Sequence, residues 1–415
     1  MLVGEHATGL DSRASRSPLA APSGAHERYQ NPPGASRDAQ PSLRKLKQGM
    51  PWARYLAHAP DSCRESPGVS RLCACLATDL FIAAASTWSS DSLARAVPPS
   101  CARGIDAAPP PERERQDLVV RLPEWRPRDP AHRLVPAFSL LGNSVHGFRF
   151  EMSVLSAGAW SPWVAGATVG RAQFPDVVTR SEPLVSDVDE FIASTPAERV
   201  RLVLRVSAGH PGALASPWFV SLSAWSPAIP TGQVHAAGAR LVVPPFSQME
   251  EEVAIRSRIC SPASVAMVLA YYGARVTVVD LARDIFQPGL DLYGVWPAAV
   301  RAAGRRGVAG YLLRFPDWSV AAWCLEQGMP IIASLRYGAG ELTGAAIAET
   351  SGHLLVLTGY DGNNVFVNDP AAPRAAEVER GYGLDELRRV WLDRAGIGYV
   401  LFPPDISASS LTSER

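Results

Sequence analysis

The chain has 415 residues, a formal net charge of zero at pH 7 and a hydrophobic content of 47%. This length predicts two or three domains, and the balanced charge argues against nucleic acid or an acidic membrane surface as a partner. Every apolar run is shorter than the roughly 18–20 residues that cross a bilayer, so we expect no integral membrane span. Six cysteines are too few for a disulfide scaffold.

Residues 1–116 are rich in proline, alanine, serine, arginine and glycine and lack a sustained periodic pattern. This composition predicts a disordered or targeting extension. One apolar island, residues 72–86, resembles the hydrophobic region and cleavage zone of an export signal. Asp79 and the distance from Met1 argue against a signal, unless translation begins downstream, for instance at Met50. A non-functional disordered extension is the alternative, and a secreted or extracytoplasmic location is favoured over a cytoplasmic one.

Residues 117–232 have the pattern of an all-β sandwich, which we expect to be an accessory domain. The runs 148–154 and 200–206 alternate apolar and polar residues, and 219–225 is a third strand-like run. Several such strands between Gly/Pro clusters are typical of sandwiches.

Two clusters in this segment have two readings each. Trp160 and Trp163, in the sequence WSPW, either stack against a sugar of a cell-surface ligand or pack in the core or at its rim. Asp187, Asp189 and Glu190 either hold a calcium ion or are simply solvated.

Residues 233–415 place helical patterns first and antiparallel strand patterns after them, which predicts an α+β domain. Ser261 fits the N-cap of the first helix, and Gly273 fits its end. Thr277, with Asp280 three residues later, fits a capping box at the start of the second helix. Two further helices are expected after Pro297 and over 317–327, and strands over 329–337, 354–360 and 365–367.

Two residues of this domain fit a nucleophile and its base. Cys260 stands at a helix start, where free amide groups and the helix dipole stabilise a thiolate, so its pKa is expected below the usual ~8.5. His353 begins a buried strand and is the only histidine after His235. Taken alone, each also fits a buried structural residue, as Cys324 does on its predicted helix.

Asp369 follows a predicted hairpin and fits the group that orients the imidazole. The alternative is a turn aspartate before Pro370. The hairpin decides between them: a two-residue turn puts Asp369 and His353 on opposite faces. A three- or five-residue loop, or a single bulge, puts them on the same face.

Gln248, upstream of the helix, fits an oxyanion donor. Its side-chain N–H would act with the backbone N–H of Cys260 on a tetrahedral intermediate, although a loop glutamine alone is usually solvated surface. The order of Gln248, Cys260, His353 and Asp369 predicts a cysteine nucleophile with its base, orienter and oxyanion donor.

These motifs resemble those of the papain-like cysteine peptidases related to the bacteriocin-processing (double-glycine leader) peptidases. In that family a glutamine precedes a Cys-Gly-Pro-(Ala/Thr)-Ser helix start, and a Gly-His-hydrophobic strand and an Asn-Asp-Pro segment follow. The matching positions here are Gln248, 260–264, 352–356 and 367–370. The resemblance covers about residues 240–400.

The resemblance implies a papain-like domain that cleaves a peptide or protein substrate, with neither cofactor nor metal. Cys260 would be the nucleophile, His353 the general base, Asp369 the orienter and Gln248 the oxyanion donor. Ser261 stands where the family often has glycine, and its side chain would narrow the approach on the S1 side.

Other chemistries stay open. Acyl transfer to an amine would use the same residues as hydrolysis. A catalytically silent papain-like module that binds a peptide or a cell-surface polymer is the second hypothesis, and Ser261 and the WSPW segment favour it. A metal site is disfavoured, because no paired C-x-x-C or H-x-x-x-H spacing is present.

Overall fold

The computed structural model describes residues 78–143, 145–226 and 238–405. Over these residues the chain has mixed α and β content and is rich in strands. The first part, up to residue 226, comprises β1 (Asp79–Ala84), α1 (Ser90–Ala96), β2 (Ala102–Ala107), β3 (Glu112–Glu114), β4 (Asp117–Arg121), β5 (Ala131–Leu140), β6 (Val145–Ser156), β7 (Ala159–Trp160), β8 (Val164–Ala165), β9 (Val169–Gly170), β10 (Arg180–Ser181), β11 (Leu184–Asp187), β12 (Glu190–Ala197), β13 (Arg199–Ala208) and β14 (Trp218–Trp225).

These strands form two sheets. The first has the order β10-β11-β12-β5-β14-β1-β2, and the second has the order β3-β4-β13-β6-β7, with β8 and β9 also paired to β6. The rings of Phe138 in β5 and Phe148 in β6 lie 5.2 Å apart, so the two sheets share one hydrophobic core. The strand patterns at 148–154, 200–206 and 219–225 are confirmed as parts of β6, β13 and β14.

Strand β1 corrects the prediction that the whole of residues 1–116 is unstructured. Residues 78–116 contain β1, α1, β2 and β3, and β1 lies between β14 and β2. Phe81 faces the core shared by the first two sheets, whereas Ile82 belongs to a second core. A strand buried on both faces reads as a continuous apolar run, and an export signal has the same pattern. Residues 1–77, with the first part of the apolar island, lie outside the described residues.

Residues 238–405 build the third sheet and the helices that cover it. The sheet has the order β16-β21-β17-β18-β19-β20, with β15 also paired to β18. The elements are β15 (Ala239–Arg240), α2 (Cys260–Tyr271), α3 (Val278–Ile285), α4 (Trp296–Gly304), β16 (Ala309–Arg314), α5 (Trp318–Glu326), β17 (Ile331–Tyr337), β18 (Thr350–Asp361), β19 (Asn364–Asn368), β20 (Glu379–Gly383), α6 (Leu384–Val390) and β21 (Ile397–Phe402).

Three of the six helices in the described residues, α1, α3 and α5, begin at a residue whose side chain caps the first turn. The predicted start of α3 is confirmed, because Thr277 is its N-cap and accepts from the backbone N–H of Asp280 at 3.1 Å. The Asp280 carboxylate accepts from the Thr277 hydroxyl at 2.8 Å, in place of the backbone N–H that a capping box would use. The predicted N-cap at Ser261 is wrong: α2 begins at Cys260, and Ile259 is its N-cap without a side-chain bond. Gly273 ends this helix with a φ of +81°, as expected. No helix in the described ranges is long and apolar enough to cross a membrane.

The first sheet also packs against the third sheet. Ser139 in β5 accepts a hydrogen bond from the backbone N–H of Gly310 in β16 at 3.1 Å. The rings of Phe219 in β14 and Phe402 in β21 stack with their centroids 6.2 Å apart. The first sheet therefore lies between two apolar layers, and all three sheets fall within one unit, Cys73–Arg415.

The tryptophans of the WSPW segment do not present two free rings. The guanidinium of Arg201 lies 3.8 Å from the centroid of the Trp160 ring and covers one of its faces. Trp163 is 41% exposed. Only one of the two rings is thus available as an open platform.

The acidic residues near β12 serve protein contacts. The Asp189 carboxylate accepts a 2.9 Å hydrogen bond from the backbone N–H of Trp296, at the start of α4. Glu190 forms an ion pair with Arg133. Within the described part of the chain, no group of three or more His, Cys, Asp or Glu side chains could hold a metal ion.

Candidate active site

Cys260 is the first residue of α2, and the residue as a whole is half-buried. Because Ile259 gives the helix no side-chain cap, the amide groups of the first turn are left for other acceptors. The backbone N–H groups of Ser261 and Leu354 donate to the thiol. The sulfur therefore lies where the positive end of the helix meets strand β18.

His353 and Asp369 form a buried pair beside this thiol. Nε2 of His353 lies 2.8 Å from Oδ1 of Asp369, and the two side chains are 3% and 0% exposed. Since Nε2–H donates to the carboxylate, Nδ1 is the ring nitrogen that is available to Cys260. The ring also forms a hydrogen bond with the Cys260 thiol. The structure thus brings together three of the four residues singled out in the sequence.

A β-bulge explains how Asp369 reaches the face of His353. The hairpin between β18 and β19 has a two-residue turn, since Asp361 pairs with Asn364, and this turn alone would put the two side chains on opposite faces. The register shifts between Leu357 and Gly359, which adds one residue to β18. The extra residue reverses the facing of all positions before it, so the single-bulge alternative is the one observed.

The bulge is held by β15. Leu241 N–H donates to the carbonyl of Thr358 at 2.7 Å, so the carbonyl displaced from the ladder is satisfied. The β15 backbone lies so close to Gly359 that a Cβ there would meet the carbonyl oxygen of Ala239 at 2.1 Å. Glycine at this position allows the β15 backbone to pack directly against the bulge, a contact that we call the clamp.

Gln248 is tied both to the loop that carries Asp369 and to the segment that leads into α2. Its backbone N–H donates to the carbonyl of Pro370 at 2.9 Å. Its Nε2 donates to the carbonyl of Arg256 at 2.7 Å. Its Oε1 is buried and has no hydrogen-bond partner among the described residues. One N–H of the amide is therefore engaged, and the second has no partner among the described residues.

This geometry falls inside a segment that matches a known family. Residues 240–399 match the family described as Peptidase_C39 like. The segment is C39-peptidase-like. This match confirms the family resemblance that the motifs predict, and no curated protein matches the chain.

Two solved structures are similar to part of this chain. One is a double glycine motif protease from an AMS/PCAT transporter, in complex with the leader peptide. Its sequence is 23% identical, the match covers 40% of this chain and 94% of the protease chain, and the TM-score is 0.28. The other is the peptidase domain of Streptococcus ComA, a bi-functional ABC transporter involved in a quorum sensing pathway. Its sequence is 17% identical, the match covers 39% of this chain and 99% of the peptidase-domain chain, and the TM-score is 0.29.

The electrostatics of the C39-like site favour a charged pair. Burial alone would raise the pKa of the Cys260 thiol, but the hydrogen bond with His353 and the charge of its ring outweigh burial and lower it. Burial opposes charge on the ring as well, yet the Asp369 carboxylate and the thiol raise the pKa of His353 to about 10. Both directions favour a thiolate beside an imidazolium.

Asp369 stays ionised because its neighbours also outweigh its burial. Burial would raise its pKa, but the charge and hydrogen bond of His353 and the hydroxyl of Tyr382 lower it. Tyr382 donates to Oδ2 at 2.8 Å, and the backbone N–H of Ala371 donates to Oδ1 at 3.0 Å. Both carboxylate oxygens are thus held by donors.

Ser261, which stands where the family often has glycine, lies in the core. Its side chain is fully buried, and its oxygen lies 3.5 Å from the hydroxyl of Tyr399 in β21. Ser264, one turn later, donates to the carbonyl of Leu354 at 3.2 Å and fixes α2 against β18. The serine side chain at the position of the family's glycine is therefore accommodated within the core.

Tyr382 and the position of β15 were not predicted from the sequence. Tyr382 lies in β20, which pairs with β19, so its contact with Asp369 depends on strand order rather than on a local motif. The sequence around Tyr382 shows only a tyrosine in a short strand-like run before a helix. Such a run occurs in many sheets and does not indicate a contact with Asp369.

Proposed function

We propose that the C39-like segment is a cysteine peptidase that hydrolyses peptide bonds. The observation that supports this most is the buried His353–Asp369 hydrogen bond of 2.8 Å beside a thiol at the start of a helix. A nucleophile, a base and an orienting group in this arrangement are what thiol hydrolysis requires. The family match of residues 240–399 supports the same conclusion.

In the proposed reaction the Cys260 thiolate attacks the carbonyl carbon of the substrate, and the carbonyl π electrons move onto its oxygen. The backbone N–H of Cys260 and the second side-chain N–H of Gln248 donate to this oxyanion. The His353 imidazolium then protonates the leaving amine as the C–N bond breaks. A thioester to Cys260 remains.

Water completes the cycle. His353, now neutral, accepts a proton from the attacking water through Nδ1, and the C–S bond breaks to release the acid and restore the thiolate. Asp369 keeps the ring orientation by accepting from Nε2–H in both half-reactions. An amine in place of water would give acyl transfer with the same residues.

We further propose that the first two sheets form a β-sandwich that supports the peptidase segment. The contacts of Ser139 with Gly310 and of Phe219 with Phe402 support this role, because they cover a face of the third sheet that would otherwise be exposed. The single exposed ring of Trp163 gives weaker support for a sugar-binding surface.

Alkylation by iodoacetamide at pH 6–7 tests the proposed thiolate. We expect Cys260 to react much faster than Cys101 and Cys324, which are buried and whose thiol pKa values are raised by burial. Peptide mapping by mass spectrometry assigns each site, and Cys260→Ala is the control. Equal rates at Cys260 and Cys324 would remove the basis for an activated nucleophile.

Cleavage of a peptide library tests turnover and provides the substrate preference. The wild-type chain is expected to release new amino termini, and Cys260→Ala and His353→Gln are expected to release none. If wild type and Cys260→Ala both bind peptides without cleavage, the chain is the silent binding module instead.

A further inference from the structure

A cavity of about 370 Å³ lies where the second sheet meets helices α3 and α4. It is separate from the candidate active site, because none of the four residues proposed there lines it. Its polar wall is built from two parts of the chain, since β6 and the end of β9 contribute one side and the two helices contribute the other. The charged and titratable residues of the wall are His146, Arg171, Arg283, Asp284, Arg301 and Arg305.

The charge of this wall is unbalanced. Four guanidinium groups line the cavity with a single carboxylate, Asp284. One oxygen of that carboxylate lies 2.6 Å from Arg305 and the other lies 2.7 Å from Arg306. Both oxygens are thus engaged. Arg283 pairs with Asp280 at 3.3 Å, so Arg171 and Arg301 are the lining cations for which no carboxylate partner is found in the described residues.

Arg301 is the least satisfied of these groups. It lies one helical turn before Arg305, so the two cations share one face of α4. Its Nε is buried without a hydrogen-bond partner among the described residues, and its Nη2 reaches the carbonyl of Val145 at 3.4 Å. Burial and the nearby charge of Arg305 lower its pKa. A cation buried next to another cation is unfavourable unless an anion accompanies both.

The walls of the cavity are fixed before any ligand binds. The Gln287 side chain after α3 accepts from the backbone N–H of Gly170 at 2.9 Å and joins the two sides. The backbone N–H of Arg171 donates to the carbonyl of His146 at 2.9 Å, which anchors the base of that arginine. The Arg171 side chain is exposed, and no ion pair is found for it in the described residues.

We propose that this cavity binds a small molecule that carries a phosphate or pyrophosphate group. Guanidinium groups bind phosphoryl oxygens in paired, charge-assisted hydrogen bonds. A ligand with two or more negative charges offsets the charges of both Arg171 and Arg301, whereas a single carboxylate would leave one of them unbalanced. The volume falls within the ~300–1,000 Å³ of small-molecule sites, and such sites are frequent where two parts of a fold meet.

Calorimetric titration of the full chain with inorganic pyrophosphate, and separately with inorganic phosphate, tests this proposal. At constant ionic strength we expect saturable one-to-one binding that is tighter for pyrophosphate, and a rise in Tm. Arg301→Gln and Arg171→Gln are each expected to weaken binding by about tenfold or more. Arg275→Gln is the matched control, because Arg275 is exposed and lies outside the cavity wall.

Three results would overturn the proposal. One is the absence of saturable binding of either anion up to millimolar concentrations. The second is unchanged affinity in Arg171→Gln, whose exposed side chain can be altered without affecting folding. The third is citrate binding as tightly as pyrophosphate, which would indicate a general polyanion site rather than a phosphate site.

Discussion

The hydroxyl of Tyr382 donates a 2.8 Å hydrogen bond to Oδ2 of Asp369, while Oδ1 of the same carboxylate accepts from His353. Tyr382 is 2% exposed, so this bond is shielded from water. It fixes the plane of the carboxylate and, through it, the orientation of the imidazole. Tyr382 thus acts as a positioning residue for the proposed triad.

Tyr382→Phe is expected to lower kcat by about tenfold with little change in KM, and to destabilise the fold by about 1.5–3 kcal/mol, since the lost bond is to a charged group. Without this donor the pKa of Asp369 rises. The acidic limb of the pH–activity profile should therefore shift to higher pH. Steady-state kinetics against pH and urea unfolding measure these effects. Tyr311→Phe is the control: its buried hydroxyl donates to the carbonyl of Ala96, so stability should fall without a change in pH profile.

The charged pair predicts an unusual dependence of stability on pH. In the unfolded chain, between about pH 6.5 and 8.5, the histidine is mostly neutral and the cysteine protonated. In the folded chain the pKa of His353 is raised to about 10, so the ring keeps its proton, and the pKa of Cys260 is lowered. The raised histidine pKa makes the folded state bind more protons and the lowered cysteine pKa makes it bind fewer, so the two shifts compensate each other in the slope of the free energy of unfolding against pH.

Cys260→Ala removes the compensation. Asp369 still stabilises the protonated ring of His353, so the contribution of the ring to stability is complete below about pH 6.5 and is lost as pH rises through the raised pKa of the ring. We expect the free energy of unfolding of this variant to fall by up to about 1.4 kcal/mol per pH unit relative to wild type. Urea unfolding at several pH values measures the slope. Cys324→Ala, which removes a thiol protonated in both states, should keep the wild-type slope.

Gln248→Ala separates the oxyanion contribution from activation of the thiol. Loss of one oxyanion donor is expected to lower kcat by about 10²–10³-fold. The alkylation rate of Cys260 should stay close to that of wild type, because the thiolate is stabilised by His353 rather than by Gln248. Peptide cleavage and alkylation on the same preparation measure both. A parallel loss in the two assays would mean that Gln248 supports the structure of the site instead.

Gly359→Ala tests the clamp on the bulge. A Cβ at this position would meet the carbonyl oxygen of Ala239, so β15 must move and the variant should lose about 1–3 kcal/mol of stability together with activity. Gly381→Ala is the matched change in β20, where an added Cβ meets nothing within 4 Å. Urea midpoints compare the two. Similar midpoints would show that the close approach of β15 is not needed.

Phe219→Ala tests the role of the first sheet as support. This side chain is fully buried between the first and third sheets, so its truncation is expected to cost about 3–5 kcal/mol. If the sheets unfold together, one thermal transition should remain and activity should be lost in that same transition. Calorimetry with parallel activity measurements follows both. Trp163→Ala, at an exposed site, should leave the Tm unchanged.

The features that depend on neighbours in sequence could be predicted, and those that depend on distant packing could not. The hydrogen bond between Thr277 and the backbone of Asp280 lies within one helical turn, so the start of α3 was correctly expected. The N-cap of α2 was misplaced by two residues, because Cys260 and Ser261 are set by contacts with β18 and β21 rather than by capping.

The candidate site shows the same division. The residue types and their order predict Cys260, His353 and Asp369 as site residues, because few residue types can serve as the nucleophile, the base and the orienting group. Their shared face depends on a bulge that β15 stabilises across the sheet, and the hairpin sequence does not contain that information. Tyr382 likewise reaches Asp369 only through the pairing of β19 with β20.

The central place of β1 in the first sheet limits how the amino terminus can be trimmed. Asp79–Ala84 pairs with β14 on one side and β2 on the other. A maturation cut before Asp79 would leave this strand in place, whereas a cut after it would remove a middle strand and uncover two apolar layers at once. Any natural processing that preserves the fold must therefore stop short of Asp79. During synthesis the strand can pair with β14 only after residue 225 has emerged from the ribosome, although its other partner, β2, is complete much earlier.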